Sequence, residues 1–147
     1  IQHLMSMEGY RSKITKEYLA VVQGVVEADS GTIDAPIARE KIYSIRRVVR
    51  EDGAEAVTHY CVIERHEDCS LLEIVPETGR THQIRVHMAQ MGHPLLGDEL
   101  YGGSQEKIKR HALHAHKIKM LHPVENRMLD FSAQVPSDMR ELIKKHF

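Results

Sequence analysis

The residues best suited to chemistry lie in one short segment, Pro76 to Met88. Its sequence, PETGRTHQIRVHM, predicts the end of a strand, a turn that Gly79 permits, and then a helix. Arg80 and Arg85 would then lie close to the positive end of that helix. Such a corner binds an anion, either a phosphate or a protein carboxylate. Taken alone, an arginine at a turn of this kind is more often a surface ion-pair partner.

The histidines offer a second chemistry, zinc binding, either at His82 and His87 or at His111, His114 and His116. His114 and His116 share one face of a predicted strand, which is an acceptable geometry for two zinc ligands. The sequence contains no HExxH, however, and no third ligand stands at a recognisable spacing from this pair. We therefore predict that the chain holds no metal. A zinc hydrolase is the alternative that bound zinc would favour.

The segments around the corner predict a mixed α+β domain, with a mainly antiparallel sheet and flanking helices. Hydrophobic patterning predicts five strands, at residues 16–23, 56–64, 70–75, 112–121 and 128–133. The second and third of these strands form a hairpin with its tip at 66–68. Helices are predicted over residues 81–91, between an N-cap at Thr81 and a C′ glycine at Gly92, and after a cap at Ser137.

Three further segments have weaker patterns. Residues 1–11 suit the tail of a helix, and the polar segment 27–32 suggests a Ser-Gly turn. Residues 42–50 mix β-branched and basic side chains, and we place Arg46, Arg47 and Arg50 on one strand there. A turn is predicted to follow at 51–53.

The composition suits one soluble domain: 147 residues, of which 41% are hydrophobic and 28% charged. No apolar run approaches the roughly 20 residues needed to cross a bilayer, and no signal peptide is visible. Cys61 and Cys69 could face each other across the hairpin, but reduced thiols are the simpler expectation. We therefore expect a cytoplasmic protein. The net charge of −1 means that RNA binding would require a local cluster of basic residues.

Four blocks of sequence resemble the RluA-type RNA pseudouridine synthases. Gly79 to His87 (GRTHQIRVH) resembles the GR(T/S)HQ(L/I)R(V/I)H motif of that family, and His93 to Gly102 (HPLLGDELYG) resembles its HP(I/L)xGDxxYG segment. Lys16 to Gly24 (KEYLAVVQG) resembles the family's KxYxAxVxG strand. Leu113 to Ala115, followed by His122-Pro123, resembles its LHA…HP strand. The blocks occur in the family's order and cover almost the whole chain.

The resemblance implies the fold of that family's catalytic domain and the isomerisation of specific uridines in RNA to pseudouridine, a reaction that needs no cofactor. Arg80 matches the arginine that pairs with the family's catalytic aspartate. Tyr18 matches the active-site tyrosine that packs against the target base, and Ile84 matches an aliphatic position lining the base pocket. Without the resemblance, Tyr18 and Ile84 would be core residues and Arg80 a surface ion-pair partner.

The expected partner is RNA, and family grounds favour ribosomal RNA. Its phosphates should be bound by local basic residues, although each of these alone is more often a solvated surface charge. The candidates are Arg85, then Arg46, Arg47 and Arg50 on the predicted strand, and Lys107, Lys109 and Arg110 in the loop after the YGG block.

One part of the family pattern is absent. The nucleophilic aspartate of the family lies in an HRLDxxTSG motif, and this sequence contains no HRLD. None of its seven aspartates has that context, and Asp98, in the GDxxYG block, is predicted to be structural. We expect residues 1–147 to be the C-terminal portion of a catalytic domain, with the aspartate upstream of Ile1. The alternatives are a catalytically inactive fragment, a non-enzymatic RNA-binding module, and a chain that pairs with a partner carrying the missing strands.

Overall fold

Strands make up most of the regular structure in the computed structural model, which describes residues 14–122 and 124–147. The strands of this part are β1 (Thr15–Gln23), β2 (Ser30–Asp34), β3 (Ile37–Arg39), β4 (Arg47–Val49), β5 (Val57–Arg65), β6 (Cys69–Pro76), β7 (Leu113–Leu121) and β8 (Met128–Ser132). Its helices are α1 (Gln83–Gln90), the 3-10 helix Glu99–Tyr101 and α2 (Ser137–His146). The predicted α+β class is confirmed. The helix predicted over residues 1–11 lies outside the described residues.

Six strands form the main sheet in the order β2-β5-β6-β1-β7-β8, and every neighbouring pair is antiparallel. The central strand β1 has an apolar run because both of its faces are covered. Ala20 and Val22 belong to the core cluster that includes Met88 of α1. Val21 points to the opposite face, into the cluster that includes Met139 of α2. One helix therefore covers each side of the sheet at its centre.

A two-stranded ribbon, β3 and β4, lies beside the main sheet, with Ile37 opposite Val49 in its register. Ile37 and Val49 pack with Val86 of α1 and with Tyr101 in a third core cluster. The ribbon is thus fixed to the helix that follows the arginine corner. The predicted turn at 51–53 closes the segment after β4.

Helix α1 ends as predicted but begins differently. Gly92 has φ of +90°, and its N–H and that of His93 donate to Ala89 and Met88, which is the hydrogen-bond pattern of a Schellman motif. The predicted N-cap at Thr81 is wrong. The N-cap is His82, which has left-handed φ and ψ of 57° and 20° and makes no capping bond through its side chain.

Three other local predictions are wrong, and one of them has a clear tertiary reason. Ser30-Gly31 is part of β2 rather than a turn, and a Cβ atom at Gly31 would lie 2.6 Å from the hydroxyl oxygen of Tyr60. The glycine therefore makes room for a neighbouring ring. Strand β4 is only three residues long, so it contains Arg47 but neither Arg46 nor Arg50.

The N-cap of α2 is Pro136, so Ser137 is the first helical residue rather than the cap. Cys61 lies opposite Glu73 and not opposite Cys69, and both thiols are free. No helix among the described residues has the length and apolar character needed to cross a membrane.

Candidate active site

A cavity of about 320 Å³ lies where β1, the end of β6 and the first turn of α1 meet. Its lining residues are Lys16, Tyr18, Pro76, Thr78, Gly79, Arg80, His82, Gln83, Ile84, Arg85, His111 and Leu113. We call it the corner cavity. It brings together all three residues predicted to be catalytic, which are far apart in sequence or on different elements. Lys16, Arg80 and Arg85 supply positive charge, and the described lining contains no acidic side chain.

The wall of the corner cavity is held by Gln83, which is 4% exposed. Its Oε1 accepts hydrogen bonds from the Thr78 hydroxyl (2.6 Å) and the Arg80 backbone N–H (3.1 Å). Its Nε2 donates to the Val57 carbonyl and to Oγ1 of Thr58, both at 2.9 Å. Both donors and both lone pairs of the amide are thus used. The turn that carries Arg80 is therefore tied to β5, a role of Gln83 that the sequence patterns did not reveal.

The same network continues to His87, which is fully buried. Its Nε2 lies 2.9 Å from the Ala35 carbonyl, which only accepts, so Nε2 carries the proton. The Thr58 hydroxyl then donates to Nδ1 at 2.7 Å. Burial lowers the pKa of His87, so the imidazole is neutral near pH 7. The family-motif histidine is therefore a structural link between α1 and the sheet.

This arrangement predicts a loss of stability on acidification. Because the pKa of His87 is lower in the folded state, the unfolded chain takes up the proton first, as pH falls below the ordinary histidine value of about 6.5. The loss should grow from there down to the folded pKa. Urea unfolding of the intact protein between pH 7.5 and pH 5 should show a smaller loss for His87→Gln than for the parent.

The same substitution at half-buried His59, on β5, is the matched control, and an equal change in both variants would deny His87 a special part in the loss. The loss of unfolding free energy on acidification should be smaller in His87→Gln but not absent, because burial also lowers the pKa values of His82, His111 and His116. A loss of unfolding free energy in His87→Gln equal to that of the parent would contradict the assignment of a neutral buried imidazole.

His82 reaches the corner cavity through an unusual backbone conformation. A residue other than glycine at φ of 57° costs roughly 1 kcal/mol or more. Nδ1 of its ring lies 2.7 Å from the hydroxyl oxygen of Tyr101, and that oxygen accepts the Arg47 backbone N–H at 2.9 Å. The Tyr101 hydroxyl therefore links the His82 ring to the backbone of the ribbon. Burial, with the nearby charge of Arg85, lowers the pKa of His82.

Arg85 forms a bidentate ion pair with Asp98. Nε and Nη2 lie 3.0 and 2.8 Å from the two carboxylate oxygens, and the Asp98 side chain is fully buried while that of Arg85 is 17% exposed. The hydrogen bonds to Asp98 raise the pKa of the guanidinium. Its central carbon also lies 5.1 Å from the centre of the Tyr101 ring. These contacts agree with the predicted structural role of Asp98, and they occupy much of the guanidinium that was predicted to bind RNA.

Arg80 differs from Arg85 in its partners. Its side chain is exposed, and Nε donates to the Glu55 carbonyl at 2.7 Å. Across residues 14–122 and 124–147, no Asp or Glu forms an ion pair with Arg80. The guanidinium at the cavity wall is thus held on one side by a neutral carbonyl oxygen.

Tyr18 and Ile84 supply the apolar part of the lining. Tyr18 is half-buried, packs against the core cluster of Ala20 and Leu72, and has a pKa that burial raises. Ile84 is 6% exposed and belongs to the same cluster. Each residue is therefore a core residue and a lining residue at once, so burial alone does not decide between the two interpretations.

A family model described as RNA pseudouridylate synthase matches residues 2–90. The chain belongs to that family. The curated relatives of this chain include the "Uncharacterized RNA pseudouridine synthase YjbO" of Bacillus subtilis, which is 46% identical over 89% of this chain and 46% of the relative. The "Ribosomal large subunit pseudouridine synthase D" of Haemophilus influenzae is 40% identical over 90% of this chain and 45% of the relative. The predicted RluA-type resemblance is confirmed.

Two solved human structures share the fold of this chain. RNA Pseudouridylate Synthase Domain Containing 4 has a TM-score of 0.76 at 23% identity, over 98% of this chain and 65% of that one. Domain Containing 1 has a TM-score of 0.73 at 24% identity, over 92% and 66%. The chain spans about half the length of the curated relatives it matches.

The basic residues predicted to bind RNA fall into separate groups. Lys107, Lys109 and Arg110 line a different cavity, against α2. Two of the three already have acidic partners, with Lys107 2.6 Å from Asp68 and Arg110 in a bidentate pair with Asp138. The structure therefore does not bring this loop together with the corner cavity, and its RNA-binding role stays a prediction.

The other predicted RNA-binding residues lie on or beside the ribbon. The guanidinium carbon of Arg46 lies 5.7 Å from the centre of the Tyr101 ring, which Arg85 also contacts. Arg47 donates its backbone N–H to Tyr101, and Arg50 pairs with Asp52 at 2.5 Å. Arg46 and Arg47 are thus linked to the corner cavity through Tyr101, although they do not line it.

Metal ligands group together at one place among the described residues, and that place is not the predicted histidine pair. Ligand atoms of His66, Asp68 and Cys69 lie within 4.8 Å of one another. The Lys107 ammonium is 2.6 Å from the carboxylate of Asp68 and offers it the charge that a cation would. His114 and His116 belong to no such group in the described part of the chain.

Proposed function

We propose that the protein containing this chain converts specific uridines of RNA to pseudouridine, and that its substrate is ribosomal RNA. The observation that carries the proposal is the corner cavity, which joins Tyr18, Arg80 and Ile84 around one concave, positively charged surface. Family membership and the names of the relatives, which include a ribosomal large subunit pseudouridine synthase, support both the reaction and the RNA.

The proposed reaction is an isomerisation. The bond between C1′ of the ribose and N1 of uracil breaks, the detached uracil turns, and a new bond joins C1′ to C5. The proton on C5 leaves and N1 gains a proton, so atoms and electrons balance without an oxidant, a reductant or a cofactor. A carboxylate close to the sugar is required to start the reaction.

Arg80 is the residue of this chain that would hold that carboxylate. A guanidinium binds a carboxylate through two parallel hydrogen bonds, which orients the acid and stabilises its ionised form. Arg85 has its bidentate partner in Asp98, whereas Arg80 has a backbone carbonyl at Nε and no ion-pair partner among the described residues. The contrast favours Arg80 over Arg85 for this role.

Tyr18 and Ile84 would hold the base. Both line the corner cavity, and both are anchored in the core cluster beneath it. An aromatic ring and an aliphatic side chain would pack on uracil and exclude water while the base is detached. The target nucleotide must leave its stack to reach such a cavity, which costs a few kcal/mol in a duplex and less in a loop.

Release of tritium from RNA labelled at C5 of uridine tests the proposed function, because the C5 proton is lost only if the new bond forms there. We expect the intact protein to release tritium from an unmodified ribosomal RNA transcript and to saturate at a small whole number of sites. Release from transfer RNA transcripts alone would support the proposed reaction but contradict ribosomal RNA as the substrate. No release from either RNA would overturn the reaction and leave RNA binding without catalysis.

Tyr18→Phe should slow tritium release by about 100-fold or more, if the hydroxyl helps to remove the C5 proton. The phenyl ring keeps the packing on the base, so RNA affinity should change little. Tyr60→Phe, at a buried tyrosine of β5 outside the corner cavity, is the matched control and should retain parent activity within about twofold. Normal turnover in Tyr18→Phe would restrict Tyr18 to packing.

A further inference from the structure

The loop that joins β3 to β4, residues 40–46, exposes three large apolar side chains. Ile42, Tyr43 and Ile45 are 79%, 96% and 74% exposed, in a chain whose other apolar residues mostly pack into the core. We call this segment the tyrosine loop. A cluster of this kind marks a surface that binds something.

The tyrosine loop has a defined shape. Nη1 of Arg47 donates to the carbonyls of Ser44 (3.2 Å) and Ile45 (2.9 Å), and Nη1 of Arg39 donates to that of Ile42 (3.1 Å). The Ser44 N–H donates to the Lys41 carbonyl at 3.0 Å. The arginines at the ends of the ribbon thus hold the loop backbone, and its apolar side chains stay outside.

The charge around the tyrosine loop indicates what binds there. Residues 39–52 contain five Lys or Arg and three acidic residues, a net charge of +2 in a chain of net charge −1. Arg46 and Arg50 pair with Glu40 and Asp52, whereas Lys41 has no acidic partner among the described residues. An exposed aromatic ring among cations suits an unpaired nucleotide, because the ring stacks on the base and the cations bind the phosphates. A protein partner would need acidic groups around its own apolar contact.

The tyrosine loop is also connected rigidly to the corner cavity. The Arg47 backbone N–H donates to the Tyr101 hydroxyl, and that hydroxyl bonds to His82, which lines the cavity. Val49 of β4 packs in the same cluster as Val86 of α1. A nucleotide on the loop and a uridine in the cavity would therefore be held in a fixed relation.

We infer that the tyrosine loop binds an unpaired nucleotide of the substrate RNA beside the target uridine, with Tyr43 stacked on its base. The loop would select target uridines in single-stranded surroundings, since a paired neighbour has no free face to offer. This inference rests on the proposed function for the identity of the RNA, and it adds a specificity surface outside the cavity.

The test measures the affinity of the intact protein for two fluorescein-labelled RNAs by anisotropy. One is a stem-loop of about 20 nucleotides with a uridine-rich unpaired loop, and the other is a fully paired duplex of the same composition. Tyr43→Ala should weaken binding of the stem-loop by about 5-fold to 100-fold, the range expected for the loss of one base–aromatic stack, and should leave duplex binding unchanged. Tyr43→Trp should restore stem-loop binding.

Phe131→Ala is the matched control, because Phe131 is a 53% exposed aromatic on β8, away from the ribbon. Its affinities should equal those of the parent. Stem-loop binding by Tyr43→Ala equal to that of the parent would overturn the inference, as would an equal loss for stem-loop and duplex. If Tyr43→Ala instead abolished self-association on a sizing column with RNA affinity intact, the loop would bind a second copy of the chain.

The two proposals can fail separately. Parent protein that releases tritium normally while Tyr43→Ala matches it in both affinity and turnover would remove the role of the tyrosine loop and leave the reaction standing. Parent protein that binds the stem-loop through Tyr43 but releases no tritium would remove the reaction and keep the nucleotide-binding surface.

Discussion

Arg80→Lys should lower the rate of tritium release by about 100-fold or more, because lysine provides a single charged group in place of a planar fork. A carboxylate at the corner cavity would lose its second hydrogen bond and with it its fixed orientation. Single-turnover rates with saturating RNA would measure the chemical step, and RNA affinity should change little. Arg80 is exposed and makes one hydrogen bond, to the Glu55 carbonyl, so the substitution should leave the unfolding midpoint nearly unchanged.

Arg127→Lys is the matched control for Arg80→Lys. Arg127 is exposed and pairs with Glu125 beside the β7–β8 turn, away from the corner cavity. Its activity should equal that of the parent. Near-normal turnover in Arg80→Lys would defeat the proposed role of Arg80, and an equal loss in both variants would point to a general requirement for positive charge.

Arg85→Met should destabilise the folded protein by about 3–5 kcal/mol, because it leaves the fully buried carboxylate of Asp98 without its partner. Methionine fills much of the same space, so the loss of charge pairing dominates. Urea unfolding of the intact protein at pH 7.5 measures the effect.

The chain contains a close control for this experiment. Arg110 and Asp138 form a second bidentate pair at 2.7 and 2.8 Å, but their side chains are 40% and 44% exposed. Water and salt screen that pair, so Arg110→Met should cost about 0–1 kcal/mol. Equal effects of the two substitutions would show that Asp98 is better solvated than its burial indicates.

The sequence predicted the elements whose pattern is local. The β5–β6 hairpin, the central strand β1 and the span of α1 each follow from hydrophobic periodicity, and Gly92 marks the end of α1 through its left-handed conformation. Prediction from the sequence failed where a distant residue decides the local structure. Gly31 looks like a turn residue in the sequence, but it lies in β2 opposite Tyr60 of β5, whose ring leaves no room for a side chain at that position.

The sequence by itself determined the family, and its motif spacing predicted the three active-site residues: Arg80 for the carboxylate, and Tyr18 and Ile84 for the base. Only the tertiary structure decided which cations already have partners. Arg80 and Arg85 were both predicted to be available to an anion, but Asp98, thirteen residues after Arg85, folds back against Arg85. Likewise Tyr43 is unremarkable in sequence, and its exposure depends on how β3 and β4 pack against α1. Ion pairing and burial are contacts between distant segments, and a one-dimensional pattern does not record which segments meet.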